Sequence, residues 1–132
     1  MKVCIIDDEW ICRFITQKLI EKTGVDTHIS QFANGQDAFD FISNECCQPW
    51  TLPELIFLDI NMPVANGWMF LEMLQSLRRT DYNPSIYITS SSQNDEDIAR
   101  ARTYPEVSGY ISKPITPVVL DKVFKDLQKV HA

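Results

Sequence analysis

Six polar residues stand where short apolar runs stop. Asp7 and Asp8 follow Val3-Cys4-Ile5-Ile6, and Asp59 follows Leu55-Ile56-Phe57-Leu58. Thr89 and Ser90 close the run that begins at Ser85, and Lys113 follows Gly109 to Ser112. If these runs are parallel strands of one open sheet, their carboxyl ends line one edge, where such sheets bind ligands. Three carboxylates gathered there repel one another and require a counter-charge. A hard divalent cation supplies it, and Mg2+ takes few carboxylates, keeps several waters and bridges to phosphate oxygens. Thr89 adds a hydroxyl, and Lys113 an ammonium on a stem that can lean across strands about 4.8 Å apart. Cation, ammonium and hydroxyl together suit a phosphoryl group in transfer. A carboxylate can be the nucleophile of such a transfer and become an aspartyl phosphate. Asp59 is the candidate, because it ends the most apolar run; Asp7 and Asp8 read as metal holders. Singly, an Asp after a strand is often a helix cap and a Lys is often solvated. The convergence of four chain segments carries the reading.

The elements that must position these residues alternate in type, five times over. Residues 9–23 read as a helix in which Ile11, Ile15 and Leu19 recur every four residues, with Phe14 beside them and Gly24 as the stop. Residues 27–32 alternate as an edge strand would. After the Asn34-Gly35 turn, Ala38, Phe39, Phe41 and Ile42 fall at helical spacing over 36–45. Leu55 to Leu58 is apolar on both parities, the mark of a central parallel strand. Residues 68–78 form a third helix, with Met69, Phe70, Met73, Leu74 and Leu77 predicted inward. Ser85 to Thr89 is a fourth strand, 95–103 a charged helix, and Gly109 to Ser112 a fifth strand. Thr116 can cap a last helix with Pro117 at its first position. Val119, Leu120, Val123, Phe124 and Leu127 make the stripe of that helix. Five such units imply an α/β fold with a mostly parallel sheet and helices on both faces.

Composition narrows the classes. The 132 residues suit one domain over 1–132, and 45% apolar with 23% charged residues is a globular balance that excludes disorder. A net charge of −6 excludes nucleic acid and an anionic membrane surface as direct partners. No apolar run approaches a spanning helix, no export signal is present, and the expected compartment is the cytoplasm. Cys4 and Cys12 read as small core residues. Cys46-Cys47 reads as a reduced loop pair, because a disulfide between neighbours is strained. The residues after Lys113 suffice for one helix and no second domain.

The motifs Ile5-Ile6-Asp7-Asp8-Glu9, Phe57-Leu58-Asp59-Ile60-Asn61-Met62-Pro63 with Asn66-Gly67, Ile88-Thr89-Ser90 and Ser108-Gly109-Tyr110-Ile111-Ser112-Lys113-Pro114 occur in one order. Together they make a chain that resembles the receiver domains of two-component response regulators, a stand-alone one like the chemotaxis regulators. The resemblance covers essentially the whole chain. It implies a flavodoxin-like (βα)5 fold, doubly wound, with a five-stranded parallel sheet of order 2-1-3-4-5. It implies that Asp59 accepts a phosphoryl group from a histidine of a partner kinase or phosphotransfer protein. Asp8, Asp59 and the backbone carbonyl of Asn61 would ligate Mg2+, with Asp7 acting through water. Lys113 would pair with Asp59 and then with its phosphate. Thr89 would swing to the phosphate, and Tyr110 would follow inward. That movement would remodel the face of helix four, strand five and helix five, where a downstream protein docks. The Lys113-Pro114 bond would be cis. The chain would be a regulatory phosphoacceptor that assists its own phosphorylation and dephosphorylation, and not a turnover enzyme.

Some features stand outside this pattern. The segment Asn44 to Pro53, with Cys46, Cys47 and Trp50, is long and reads as a variable loop. Tyr104-Pro105-Glu106-Val107 replaces a glycine-containing turn at the end of helix four. Asn61 and Ser91, two residues beyond Asp59 and Thr89, stand at positions that the resemblance implies tune phosphate loss. Trp10 and Trp68 read as partly buried helix residues. His28 and His131 carry no function, and the charges of the last helix, Asp121 to Lys129, form a solvated face. Three other functions compete. A flavin- or phosphate-binding protein would want a Ser/Thr/Gly-rich loop where Asp7-Asp8-Glu9 stands. An aspartate-nucleophile phosphatase would want an acid where Asn61 stands. A phosphorylation-independent protein-binding module of the same fold is the alternative, and the intact acidic set speaks against it. Relay to another histidine and direct output by docking remain equally open.

Overall fold

The computed structural model describes residues 1–44, 51–62, 64–77, 82–91 and 94–131, the last three by backbone alone. The chain order is β1 (Lys2–Ile6), α1 (Trp10–Lys22), β2 (His28–Phe32), α2 (Gly35–Asn44), β3 (Leu55–Asp59) and α3 (Gly67–Ser76). Then follow β4 (Ser85–Ser90), α4 (Asp95–Ala101), β5 (Val107–Ser112) and α5 (Pro117–His131). The strands form one parallel sheet in the order β2-β1-β3-β4-β5. That is the doubly wound, flavodoxin-like arrangement that the resemblance implied. Cys46-Cys47, Trp50, Pro63, the predicted end of the third helix at residue 78 and the side chains of Lys129 and His131 lie outside the described residues.

Strand parity builds two cores. Side chains of successive strand residues point to opposite faces. Cys4, Ile6, Ile56, Leu58, Ile86 and Ile88 therefore meet Ala38, Ile42, Trp68, Phe70, Leu71 and Ala101 of α2, α3 and α4. Val3, Ile5, Leu55, Phe57, Tyr87 and Ile111 meet Ile20 of α1 and Leu120, Val123, Phe124 and Leu127 of α5. All five residues of β3 are buried, which is why its sequence is apolar on both parities. Each fully buried Leu, Ile or Phe contributes about 1.5–3 kcal/mol, so β3 is the most firmly held platform in the sheet.

The helix ends follow their capping residues. The Asn66 side chain accepts from the Met69 N–H at 2.9 Å, and that of Asn94 from the Glu96 N–H at 2.9 Å. Thr116 Oγ1 accepts from the Val119 N–H at 3.3 Å, with Pro117 at the first helical position as predicted. Gly24, at φ 80°, stops α1 in the left-handed conformation that glycine adopts without strain.

Several expectations about side chains need correction. In α1 the buried pair is Thr16 and Ile20, whereas Ile11, Phe14 and Ile15 are about half exposed, at 54%, 52% and 47%. Periodicity identified the helix, but its rotation is set by polar tethers. Arg13 reaches the carbonyl of Asp7 and the side chain of Gln31 on β2. Cys12 consequently sits half-buried at the surface rather than in the core, where Cys4 is. Trp10 is exposed and Trp68 buried; the two are not alike. Met69 is exposed, because α3 turns Trp68, Phe70 and Leu71 inward. The fifth strand begins at Val107, two residues before the predicted start, and α4 ends at Ala101, two residues early.

Candidate functional site

Strands β1, β3, β4 and β5 end at the same edge of the parallel sheet. Asp7 and Asp8 follow β1, Asp59 ends β3 beside Thr89 of β4 in register, and Lys113 follows β5. Carboxylate oxygens of Asp7, Asp8 and Asp59 all lie within 4.8 Å of one another. Asp7, Asp59 and Thr89 are buried, and Asp8 is exposed at the mouth. The convergence anticipated from strand ends alone is present for all five of these residues.

Hydrogen bonds aim the groups. Asp7 Oδ1 accepts from the Glu9 N–H at 2.9 Å, and Asp59 Oδ1 from the Asn61 N–H at 3.3 Å. Lys113 Nζ lies 2.8 Å from Asp7 Oδ2 and 3.5 Å from Asp59 Oδ2. It was expected to pair with Asp59; the shorter contact is to Asp7. Its backbone N–H donates to the Ser90 carbonyl at 2.8 Å, and the Lys113-Pro114 bond is cis, as the resemblance implied. Tyr110 pairs in register with Ile88 of β4 and packs, half-buried, against the core under α4.

The electrostatics are those of a crowded, buried anion. Burial pushes the Asp59 carboxyl up to about 6; Asp7 and Asp8 push the same way, and Lys113 and the Asn61 N–H oppose them. Burial alone would lower Lys113, but its hydrogen bond to Asp7 and the charges of Asp59 and Asp7 raise it above the ordinary lysine value. One ammonium does not neutralise three carboxylates. The oxygen-only donor set, with one member at the solvent edge, fits a hard divalent cation that keeps part of its water shell. The Asp7, Asp8 and Asp59 carboxylates could hold it.

A cavity of about 320 Å³ opens beside the acidic cluster, lined by Glu9, Cys12, Ile15, Thr89, Lys113 and Ile115 among others. Burial, with help from Asp7 and Glu9, raises the Cys12 thiol, and its Sγ lies 3.6 Å from Glu9 Oε2. On the opposite face of the sheet, Trp68 stacks on Tyr104 with ring centroids 5.7 Å apart. The Arg100 guanidinium sits 4.5 Å from the same ring. The segment that departed from the expected turn thus ties the end of α4 to the start of α3. Arg13 and Cys12 were not foreseen as neighbours of the site. The only signal was position: helical side chains point back toward the N-terminus, so residues in the first turns of α1 reach the strand end.

The sequence model of the response regulator receiver domain matches residues 3–125. The chain belongs to that family. The response regulator Rre1 of Synechocystis is 27% identical over 96% of the chain, which spans 51%, about half, of that protein. A chemotaxis protein CheY homolog of Campylobacter jejuni is 27% identical over 96% of the chain and 92% of its own length. The crystal structure of a two-component response regulator from Cytophaga hutchinsonii superposes with a TM-score of 0.88. It is 26% identical and covers 97% of this chain and 96% of that one. Receiver domains are regulatory, bind Mg2+ at an acidic pocket, and interact with kinases and downstream targets. Among the described residues no helix is long and apolar enough to cross a membrane.

Proposed function

We propose that this receiver domain accepts a phosphoryl group on Asp59 from a phosphohistidine of a partner kinase or phosphotransfer protein, and that the phosphate switches a protein-binding face. The observation that carries the reading is the set of three carboxylates within 4.8 Å, held with Lys113 in ion-pair reach of both Asp7 and Asp59. With its carboxyl at about 6, Asp59 is mostly ionised at neutral pH and available as a nucleophile. An Asp59 oxygen attacks phosphorus, the donor nitrogen–phosphorus bond breaks, and its electron pair stays on the imidazole. Lys113 then transfers its contact from carboxylate to phosphoryl oxygen, and the Thr89 hydroxyl donates to another. Asp8, Asp59 and the Asn61 carbonyl would hold Mg2+, with Asp7 through water; when bound, the ion neutralises charge on the phosphoryl oxygens. Ile11, Phe14 and Ile15 are exposed on α1, and Ile15 lines the cavity; together they offer the donor protein an apolar contact.

The output face is that of α4, β5 and α5. A cavity of about 430 Å³ lined by Ile98, Ala101, Arg102, Val107 and Tyr110 gives Tyr110 room to move when Thr89 engages phosphate. Phosphorylation would then shift a pre-existing two-state equilibrium. The test is intact-mass spectrometry after incubation with acetyl phosphate, with and without Mg2+. One phosphoryl adduct that needs Mg2+ and is absent from Asp59→Asn is the expected result. No adduct under any condition would leave the phosphorylation-independent binding module as the function.

A further inference from the structure

Asp8 occupies an awkward place. It is the exposed member of the acidic cluster, and among the described residues no hydrogen bond to its carboxylate is found. Its orientation must come from its backbone. The peptide plane that joins it to Asp7 is held by one side chain: Arg13 Nη1 donates to the Asp7 carbonyl at 2.6 Å. That carbonyl belongs to the peptide leading into Asp8, so fixing it places the Asp8 Cα and leaves φ of Asp8 as the backbone rotation that aims its side chain. The other end of Asp7 is already pinned, its N–H donating to the Phe32 carbonyl at 3.0 Å.

The guanidinium is itself held. Arg13 Nε donates to Gln31 Oε1 on β2 at 3.2 Å. Gln31 in turn donates to Gln17, and Gln17 to Glu21 at 3.0 Å, both on α1. A planar fork with its second nitrogen engaged is far more directional than a lysine on a free stem. The strap runs from α1 across β2 to the strand end that carries two of the three carboxylates. Outer groups that orient metal ligands in this way typically alter metal affinity about 10–100-fold when removed.

We propose that Arg13 is a positioning residue for the Mg2+ site, holding the Asp7–Asp8 peptide so that Asp8 faces Asp59. The inference rests on the acidic cluster being the Mg2+ site. It makes a claim of definite sign. As a bare positive charge, Arg13 would repel a cation, and deleting it would tighten binding. As a positioning group, its loss loosens Asp8 and weakens binding.

The experiment is calorimetric titration of Mg2+ into wild type, Arg13→Ala, Arg13→Lys and Gln31→Ala, with thermal unfolding of each metal-free protein alongside. Arg13→Ala should weaken Mg2+ binding about tenfold or more. Arg13→Lys, which restores a donor, should recover part of that loss. Gln31→Ala frees the fork but keeps the contact to Asp7, and should fall between wild type and Arg13→Ala. It supplies the comparison even if Arg13→Ala folds poorly. A lowered unfolding midpoint with unchanged or tighter Mg2+ binding in the variants would overturn the positioning role and leave the site intact. Absence of Mg2+ binding in wild type would overturn the site and the inference together.

Discussion

Asp59 is held against its own ionisation. Its carboxyl stands at about 6 in the folded chain against an ordinary 3.8, with burial the first cause. A carboxyl raised on folding adds stability when protonated; that stability is full below about 3.8 and is lost as pH rises through about 6. At pH 7 without metal the charge therefore works against the fold. Asp59→Asn should be more stable than wild type at pH 7, by about 1–3 kcal/mol, and the gap should close toward pH 4. Urea denaturation at both pH values in the presence of a chelator measures this. A less stable Asn variant at pH 7 would show that Lys113 outweighs burial. The five site residues were legible because each ends a strand, and the chemistry of three carboxylates with one lysine needs no coordinates. Arg13 and Cys12 were not. Their place depends on the rotation of α1, which four-residue periodicity leaves undetermined when Ile11, Phe14 and Ile15 stay at the surface.

At the scale of elements, the loop between β3 and α3 fits tightly around Asp59. The Gly67 N–H donates to the Ile60 carbonyl at 3.2 Å. A Cβ on Gly67 would stand 2.8 Å from the Asp59 carbonyl oxygen and 2.8 Å from Ile60 Cα, both backbone atoms that cannot yield cheaply. Gly67→Ala should therefore cost about 1–3 kcal/mol, in the range of overpacked cores, and should slow phosphorylation from acetyl phosphate. Thermal unfolding and the adduct time course check the two parts. Unchanged behaviour in both would mean that α3 can slide away from β3. The Asn66-Gly67 pair was readable as the end of a loop, but not this reason for the glycine. It needs the neighbouring strand end to be in place. Helix ends with a capping Asn, Thr or Gly were readable to within one residue. The end of α4 and the start of β5 lie two residues from expectation, where Tyr104 packs on Trp68 instead of a glycine turn.

The whole molecule repeats one logic on two faces. Alternate strand residues feed separate cores, α2 to α4 on one side and α1 with α5 on the other. The polar ends of four strands are left to meet at one edge. This architecture was legible, because continuous apolar strands, amphipathic helices and strict alternation leave few other arrangements. The apolar surface proposed to meet the phosphoryl donor was less so, since the exposed residues of α1 emerge only when the helix is seated. The measurement that tests the phosphoacceptor role most directly is chemical mapping of the phosphorylated site. Protein incubated with acetyl phosphate and Mg2+ is reduced with borohydride, which converts an aspartyl phosphate to homoserine, and its peptides are sequenced by mass spectrometry. Homoserine at position 59, and at no other aspartate, is the expected result. Homoserine at Asp7 or Asp8, or phosphate retained on a hydroxyl, would contradict it.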